Sequence, residues 1–258
     1  MRTLLMFLYD FLCIFVVVKM TKMANSFFRF KQFTINQDRC AMKVGTDGCL
    51  LGAWADLLNS RNILDVGCGS GLIAIMAAQR CPEATVTGIE LDEDASMQAQ
   101  ENSSASPWNE RIKIVHADFL QYAPDEKFDT ILSNPPYFTS SMKCPDDKRT
   151  KARHDDSLSS GDLLTHAYEL LLDGGKLSVV IPAEQKDIWN NQATILGLHM
   201  TRLTYIHTRP SIAPKRVLLE FTKGNENRLI ETKFILEDEP GKYSEEAIKL
   251  LQPFYLKL

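Results

Sequence analysis

Asn62-Ile63-Leu64-Asp65-Val66-Gly67-Cys68-Gly69-Ser70-Gly71-Leu72 is the stretch that decides the fold. A short apolar run ends on three alternate glycines, and Leu72–Gln79 beyond them has helical composition. Glycines at such a handover let the backbone turn tightly and come close to a ligand. The same grammar continues downstream. Ala84–Glu90 (ATVTGIE) is rich in β-branched residues, and Glu93–Ser103 after it is made of helix formers. Arg111–His116 (RIKIVH) and Phe128–Ser133 (FDTILS) read as two further strands. Leu163–Leu172 reads as a helix stopped by Asp173-Gly174-Gly175, and Lys176–Ile181 (KLSVVI) as a strand ended by Pro182. This alternation predicts an α/β fold with a doubly wound, mostly parallel sheet. Met200–His207 and Arg216–Thr222 have no helix-length segment between them, so they are expected to close the sheet as an antiparallel hairpin.

A glycine loop alone is shared by several ligand-binding folds. Here the spacing is G-x-G-x-G; the third glycine of a G-x-G-x-x-G dinucleotide fingerprint would fall on Leu72. The helix start is therefore not shaped for a pyrophosphate. Glu90 ends the second strand about 20 residues past the loop, where a carboxylate can grip ribose hydroxyls; capping the next helix is the competing role. Asp118, in His116-Ala117-Asp118-Phe119, could accept from an adenine amino group while Phe119 packs on the ring, or be a surface acid. Together these residues resemble the class I S-adenosylmethionine-dependent methyltransferases, from about Val44 to Thr222. The resemblance implies a seven-stranded Rossmann-like sheet, S-adenosylmethionine as cofactor, and binding roles for Asp65, Gly67, Gly69, Gly71, Glu90 and Asp118.

Asn134-Pro135-Pro136-Tyr137 follows the fourth strand directly, at the edge where ligands bind in open α/β sheets. Two prolines fix the backbone and remove amide donors. The Pro135 carbonyl and the Asn134 amide oxygen are left as acceptors for one amino group. An aromatic amine needs them, because its lone pair is delocalised into the ring. Tyr137 offers a face for stacking a planar group, worth about 1–3 kcal/mol for a base. These four residues are the expected catalytic set, and Asn134 is expected to touch the cofactor as well. The tetrapeptide resembles that of enzymes methylating adenine N6, guanine N2 or a glutamine amide, and does not choose among them.

Other segments narrow the choice. Gln37-Asp38-Arg39-Cys40-Ala41-Met42-Lys43-Val44-Gly45-Thr46-Asp47-Gly48 precedes the glycine loop, and Pro214-Lys215-Arg216-Val217-Leu218-Leu219-Glu220 lies near the end. The full set resembles the bacterial tRNA(Val) (adenine-37-N6)-methyltransferase family through nearly all of residues 25–258. That resemblance implies that Lys43 and Thr46 border the cofactor and that the anticodon stem-loop of a tRNA is the partner. Lys143, Lys148, Arg149, Lys151 and Arg153 outweigh Asp146 and Asp147 after the tetrapeptide. They form either a phosphate-contacting segment or a solvated one; Arg209, Lys215 and Arg216 are a second candidate patch. A release-factor glutamine methyltransferase also carries the tetrapeptide, but the long helical domain expected ahead of the glycine loop is not seen. A DNA adenine methyltransferase would need a target-recognition domain. A nicotinamide-dependent oxidoreductase is disfavoured by the loop spacing.

Composition agrees with a chain that does not coat nucleic acid by bulk charge: 29 Lys and Arg stand against 33 Asp and Glu, a net charge of −4. Six cysteines show no CxxC pair and no histidine at metal spacing, so no metal is expected and a reducing cytoplasm suits them. Leu4–Val18 is apolar but interrupted by Asp10, too short for a membrane span of about 20 residues. Residues 1–22 are read as a leader upstream of a start at Met20 or Met23. Residues 23–258 are expected to form one domain, acting as a monomer.

Overall fold

The computed structural model describes residues 25–136, 158–224 and 228–258. A hairpin of β1 (Phe27–Arg29) and β2 (Thr34–Asn36) opens the described chain. The main strands follow: β3 (Asn62–Val66), β4 (Thr85–Glu90), β5 (Ile112–His116), β6 (Phe128–Ser133) and β7 (Leu171–Pro182). Then come β8 (Leu198–His207), β9 (Arg216–Lys223) and β10 (Ile230–Ile235). These eight lie in one sheet, ordered β10-β8-β9-β7-β6-β3-β4-β5. A small hairpin of β11 (Glu237–Glu239) and β12 (Lys242–Tyr243) stands apart.

From β5 through β4, β3 and β6 to β7 every pairing is parallel, as the alternation predicts. The expected hairpin is present too, with β9 antiparallel to both β7 and β8. One strand goes beyond the expectation: β10 pairs parallel to β8 outside it, giving eight strands and not seven. Its first four residues are exposed, so no apolar run marks it in the sequence.

Successive strand residues face opposite sides, which is why a doubly covered strand reads as continuous apolar sequence. Ile63, Val86, Leu132, Val180 and Leu218 point to one side, under α1 (Thr46–Trp54), α2 (Leu72–Arg80) and α6 (Glu245–Leu251). Leu64, Ile131, Val179 and Leu219 point to the other, under α4 (Ser160–Leu170) and α5 (Lys186–Leu196). Helix α3 (Glu93–Ser104) lies along β4 and β5.

The glycine stop after the fourth helix is corrected. That helix ends at Leu170, and β7 begins at once with Leu171 paired to Phe128. The next pair is Thr130 with Lys176, so Leu172–Gly175 bulges out of the ladder, with Gly174 at a φ of 79°. Leu171 is fully buried, and that packing claims it for the sheet before the glycines are reached. Among the described residues no helix is long and apolar enough to cross a membrane. The apolar leader lies outside them.

Candidate active site

The chain leaves β3 toward β4 on one side and returns from β5 to β6 on the other, so the crevice opens at the carboxyl end of β3. The glycine loop fills that point. Gly67, Gly69 and Gly71 hold φ values of 67°, 54° and 80°, a region that side chains disfavour. A Cβ added to Gly67 or Gly69 would meet nothing within 4 Å, so the loop's outer surface is open backbone. Gly71 is different: its added Cβ would come 3.4 Å from the Ala99 Cβ on α3. Two glycines thus keep the loop accessible, and the third lets α3 approach.

Beneath the loop, Asp65 is fully buried. Its Oδ2 accepts the Ala74 N–H at 2.9 Å in the first turn of α2, while Oδ1 has no partner. Burial pushes its pKa up to about 7; the Glu90 charge adds to the rise and the Ala74 hydrogen bond opposes it.

Glu90 stands at the end of β4, and both its oxygens are engaged. Oε2 accepts the Gly69 N–H at 2.8 Å, and Oε1 accepts the Asp92 N–H at 3.0 Å. It does not cap α3. Asp92 does, accepting the Ala95 N–H at 2.8 Å. Glu90 instead fastens the glycine loop to the end of β4, and each carboxylate oxygen can still accept another donor.

Asp118 follows β5 next to this point, since the Ala117 N–H donates to the Glu90 carbonyl at 3.0 Å. Its carboxylate caps the short turn Phe119–Gln121, taking Leu120 N–H at 3.0 Å and the Gln121 amide at 3.1 Å. Phe119 is 5% exposed and meets the His166 ring edge-on at 4.8 Å, as part of the core beneath α4.

Asn134 comes straight off β6, whose last residue is pinned to β3 by Ser133 Oγ donating to the Val66 carbonyl at 2.9 Å. Pro135 is buried and Pro136 exposed; Tyr137 and the basic segment Lys143–His154 lie outside the described residues. A Cβ on Gly48 of α1 would sit 3.4 Å from Leu72 Cδ2 and 3.8 Å from Asn134 Nδ2. The first turn of α1 therefore reaches both the helix after the glycine loop and the tetrapeptide. Thr46 begins that turn and is exposed. Arg216 donates to Asp47 at 2.9 Å, so it braces α1 and its charge is already matched.

Between β2 and α1 the chain forms a strap fastened by side-chain amides, which the sequence did not announce. Asn102 on α3 accepts the Asn36 N–H and donates to the carbonyls of Asn36 and Ser70, each at 2.9 Å. One turn earlier Gln98 accepts the Arg39 N–H and donates to Asp38, both at 2.9 Å. Gln37 accepts the Val44 N–H at 2.7 Å, and the Lys43 ammonium donates to the Gln37 carbonyl. Gln98 and Asn102 are each 1% exposed. In sequence, EDASMQAQENSS looks like a solvated helix, which is why these buried amides escape a hydropathy reading. The site thus gathers Asp65, the glycine loop, Glu90, α1 and Asn134 at one edge.

The family model of the methyltransferase small domain matches residues 45–188, which contain this whole edge. A predicted O-methyltransferase of Agrobacterium tumefaciens superposes with a TM-score of 0.63 at 23% identity, over 80% of this chain and 96% of that one. At that identity the likeness speaks for the sheet and not for a substrate. The fold and the matched domain make this chain a methyltransferase. It is 48% identical over 236 residues to the tRNA1(Val) (adenine(37)-N6)-methyltransferase of Phocaeicola vulgatus, covering 92% of this chain and all of the relative. The enzyme of the same name from Bacteroides thetaiotaomicron is 47% identical over 237 residues, with the same coverage. The chain belongs to the tRNA1(Val) (adenine(37)-N6)-methyltransferase family.

Proposed function

We propose that this chain transfers a methyl group from S-adenosylmethionine to N6 of an adenine in tRNA, beside the anticodon of tRNA(Val), as a monomer and without a metal ion. One observation carries the reading: Asn134-Pro135-Pro136 leaves β6 beside the glycine loop and against the first turn of α1. A methyl acceptor held by the tetrapeptide and a cofactor held by the loop would therefore share one crevice.

The residues fit the cofactor. When bound, S-adenosylmethionine supplies a methyl group on a positively charged sulfur. Oδ1 of Asp65 is left at the loop floor without a partner, and the ionised form of that carboxylate would favour a nearby cation. The open surface of Gly67 and Gly69 leaves room for a ligand against backbone. Glu90 keeps acceptor capacity for ribose hydroxyls; Asp118, Phe119, Lys43 and Thr46 would complete the cofactor pocket.

On the substrate side, Asn134 and the Pro135 carbonyl accept the two protons of the target amine. Drawing on both protons favours a more pyramidal, more nucleophilic nitrogen. Once methylated, that nitrogen is cationic and sheds its proton readily, so no strong general base is needed. Proximity and orientation supply most of the acceleration. Tyr137 would stack on the base, and the Lys143–Arg153 segment would contact phosphates. A base in a single-stranded anticodon loop can be splayed into such a pocket, which a duplex resists.

The test is incubation of the purified chain with isotopically labelled S-adenosylmethionine and either total tRNA or release-factor protein. The proposal expects label in N6-methyladenosine from tRNA. Label in a release-factor glutamine, with none in tRNA, would replace the reading with protein methylation.

A further inference from the structure

The turn between β8 and β9 carries two cations, Arg209 and Lys215, that neither the core nor the cofactor cleft accounts for. Strand β9 is antiparallel to both β7 and β8, so β8 runs with β7 and its turn lies at the carboxyl edge, on the side of Asn134. Register sets its height. Ser133, the end of β6, pairs with Val179, whereas Arg216 pairs with Pro182, three residues further along β7. At about 3.3 Å per residue, the turn stands about 10 Å above the end of β6 and walls the crevice on that side. Its far end is tied to the site. Arg216 donates to Asp47, next to Gly48, whose added Cβ would lie 3.8 Å from Asn134 Nδ2.

Backbone bonds fix the turn. The His207 Nδ1–H donates to the Ile212 carbonyl at 2.8 Å, and the Ile212 N–H to the Arg209 carbonyl at 3.0 Å. The Ala183 N–H, just past β7, donates to the Lys215 carbonyl at 3.1 Å, and the Glu237 N–H to the Thr208 carbonyl at 2.9 Å. Pro210 and Pro214 fix two φ angles. On this frame Lys215 is exposed and Arg209 half-buried, and among the described residues neither forms an ion pair. Glu184 and Glu237 lie on the segments that anchor the turn, and neither acid pairs with them. Across the crevice the sign reverses, with Glu90, Asp92 and Asp118 at the ends of β4 and β5.

We propose that Arg209 and Lys215 contact RNA phosphates flanking the target adenosine, so that the strand enters across the β8–β9 turn, away from the acids beyond β4 and β5. The inference rests on the tRNA reading given above and adds an entry side to it. A guanidinium takes a phosphate through two parallel N–H···O bonds, and an ammonium takes it as a point charge. Carboxylates on the opposite side repel a polyanion and tolerate a cofactor whose sulfur is cationic. One edge thereby sorts two ligands of opposite charge.

The experiment measures tRNA binding by filter retention over a salt series for the full chain, the Arg209→Gln/Lys215→Gln double variant and Lys215→Gln alone. A Lys113→Gln/Lys127→Gln pair, at the amino ends of β5 and β6, makes the same charge change at the opposite edge of the sheet. Melting temperatures check folding. Calorimetric affinity for S-adenosylmethionine should stay within about twofold of the parent, because the substituted sites are independent of the cofactor cleft. The slope of log affinity against log salt should flatten by about 1.4 in the double variant and about 0.7 in Lys215→Gln, with the control pair unchanged. Lys215 is exposed, so its single variant keeps the test decisive if the double variant is destabilised. A folded variant of either kind with the parent's slope, or a control pair with an equal loss, overturns the assignment and leaves tRNA methylation standing. A parent chain that labels a release-factor glutamine and leaves tRNA unmethylated overturns the functional reading itself, and this assignment with it.

Discussion

Replacing Glu90 with alanine tests the cofactor cleft at its most connected residue. In the folded chain its carboxylate accepts two backbone donors, Gly69 N–H at 2.8 Å and Asp92 N–H at 3.0 Å. Truncation removes both, frees the central glycine of the loop and deletes the acceptor proposed for the ribose hydroxyls. Hydrogen bonds to a charged group are worth about 1.5–3 kcal/mol each, so removing the ribose interaction alone implies an affinity about 10- to 150-fold weaker. Glutamine is no mild substitute, because its single oxygen can serve only one of the two backbone donors and its NH2 would face the other. Calorimetric titration with S-adenosylmethionine measures the change, and a thermal melt checks that the variant is folded. A folded Glu90→Ala variant with unchanged affinity would refute the reasoning and move the ribose interaction elsewhere.

Asn134→Ala should retain cofactor affinity within about twofold and lose at least about a hundredfold in turnover, the scale for removing a group aimed at the reacting atoms; near-normal turnover would take the tetrapeptide out of the mechanism. Asp65 predicts a pH dependence with a definite sign. Burial raises its folded pKa from 3.8 to about 7, so the stability tied to its protonated form is complete below pH 3.8 and is lost as pH rises toward 7. Melting temperatures of the ligand-free chain and of Asp65→Asn, compared across that window, should diverge as the parent declines; parallel curves would contradict it. Neutralising Lys148, Arg149, Lys151 and Arg153 together should weaken tRNA binding and flatten its salt dependence, by about 0.7 in slope for each phosphate that is no longer neutralised. Filter binding over a salt series gives that slope, and an identical slope would assign the segment to solvent.

The parallel half of the sheet is legible because its strands are buried on both faces and its turns carry glycine. Ile63 and Leu64 face opposite cores, and the resulting apolar run is a signal that survives without alignment. Strand β10 is not legible, since an edge strand with exposed residues lacks that signal. The glycines at 174 and 175 mislead for a related reason: they mark a bend, and only the burial of Leu171 shows that the bend lies inside a strand. At the site, Gly67, Gly69, Glu90 and Asn134 can be placed from spacing relative to the strands. The strap cannot, because Gln98, Asn102 and Gln37 are polar residues whose partners are backbone atoms distant in sequence. Arg216 reads in sequence as one of three candidate RNA-contacting cations, and its pairing with Asp47, which braces α1, is not legible because the two residues lie far apart in the chain.

The central claim is that adenine N6 in tRNA receives the methyl group. It is tested most directly by nucleoside mass spectrometry on tRNA(Val) purified from cells with and without this gene. The account predicts N6-methyladenosine beside the anticodon in the parent, its loss without the gene, and its return when the chain is supplied again. Unchanged N6-methyladenosine, together with disappearance of release-factor glutamine methylation, would contradict it.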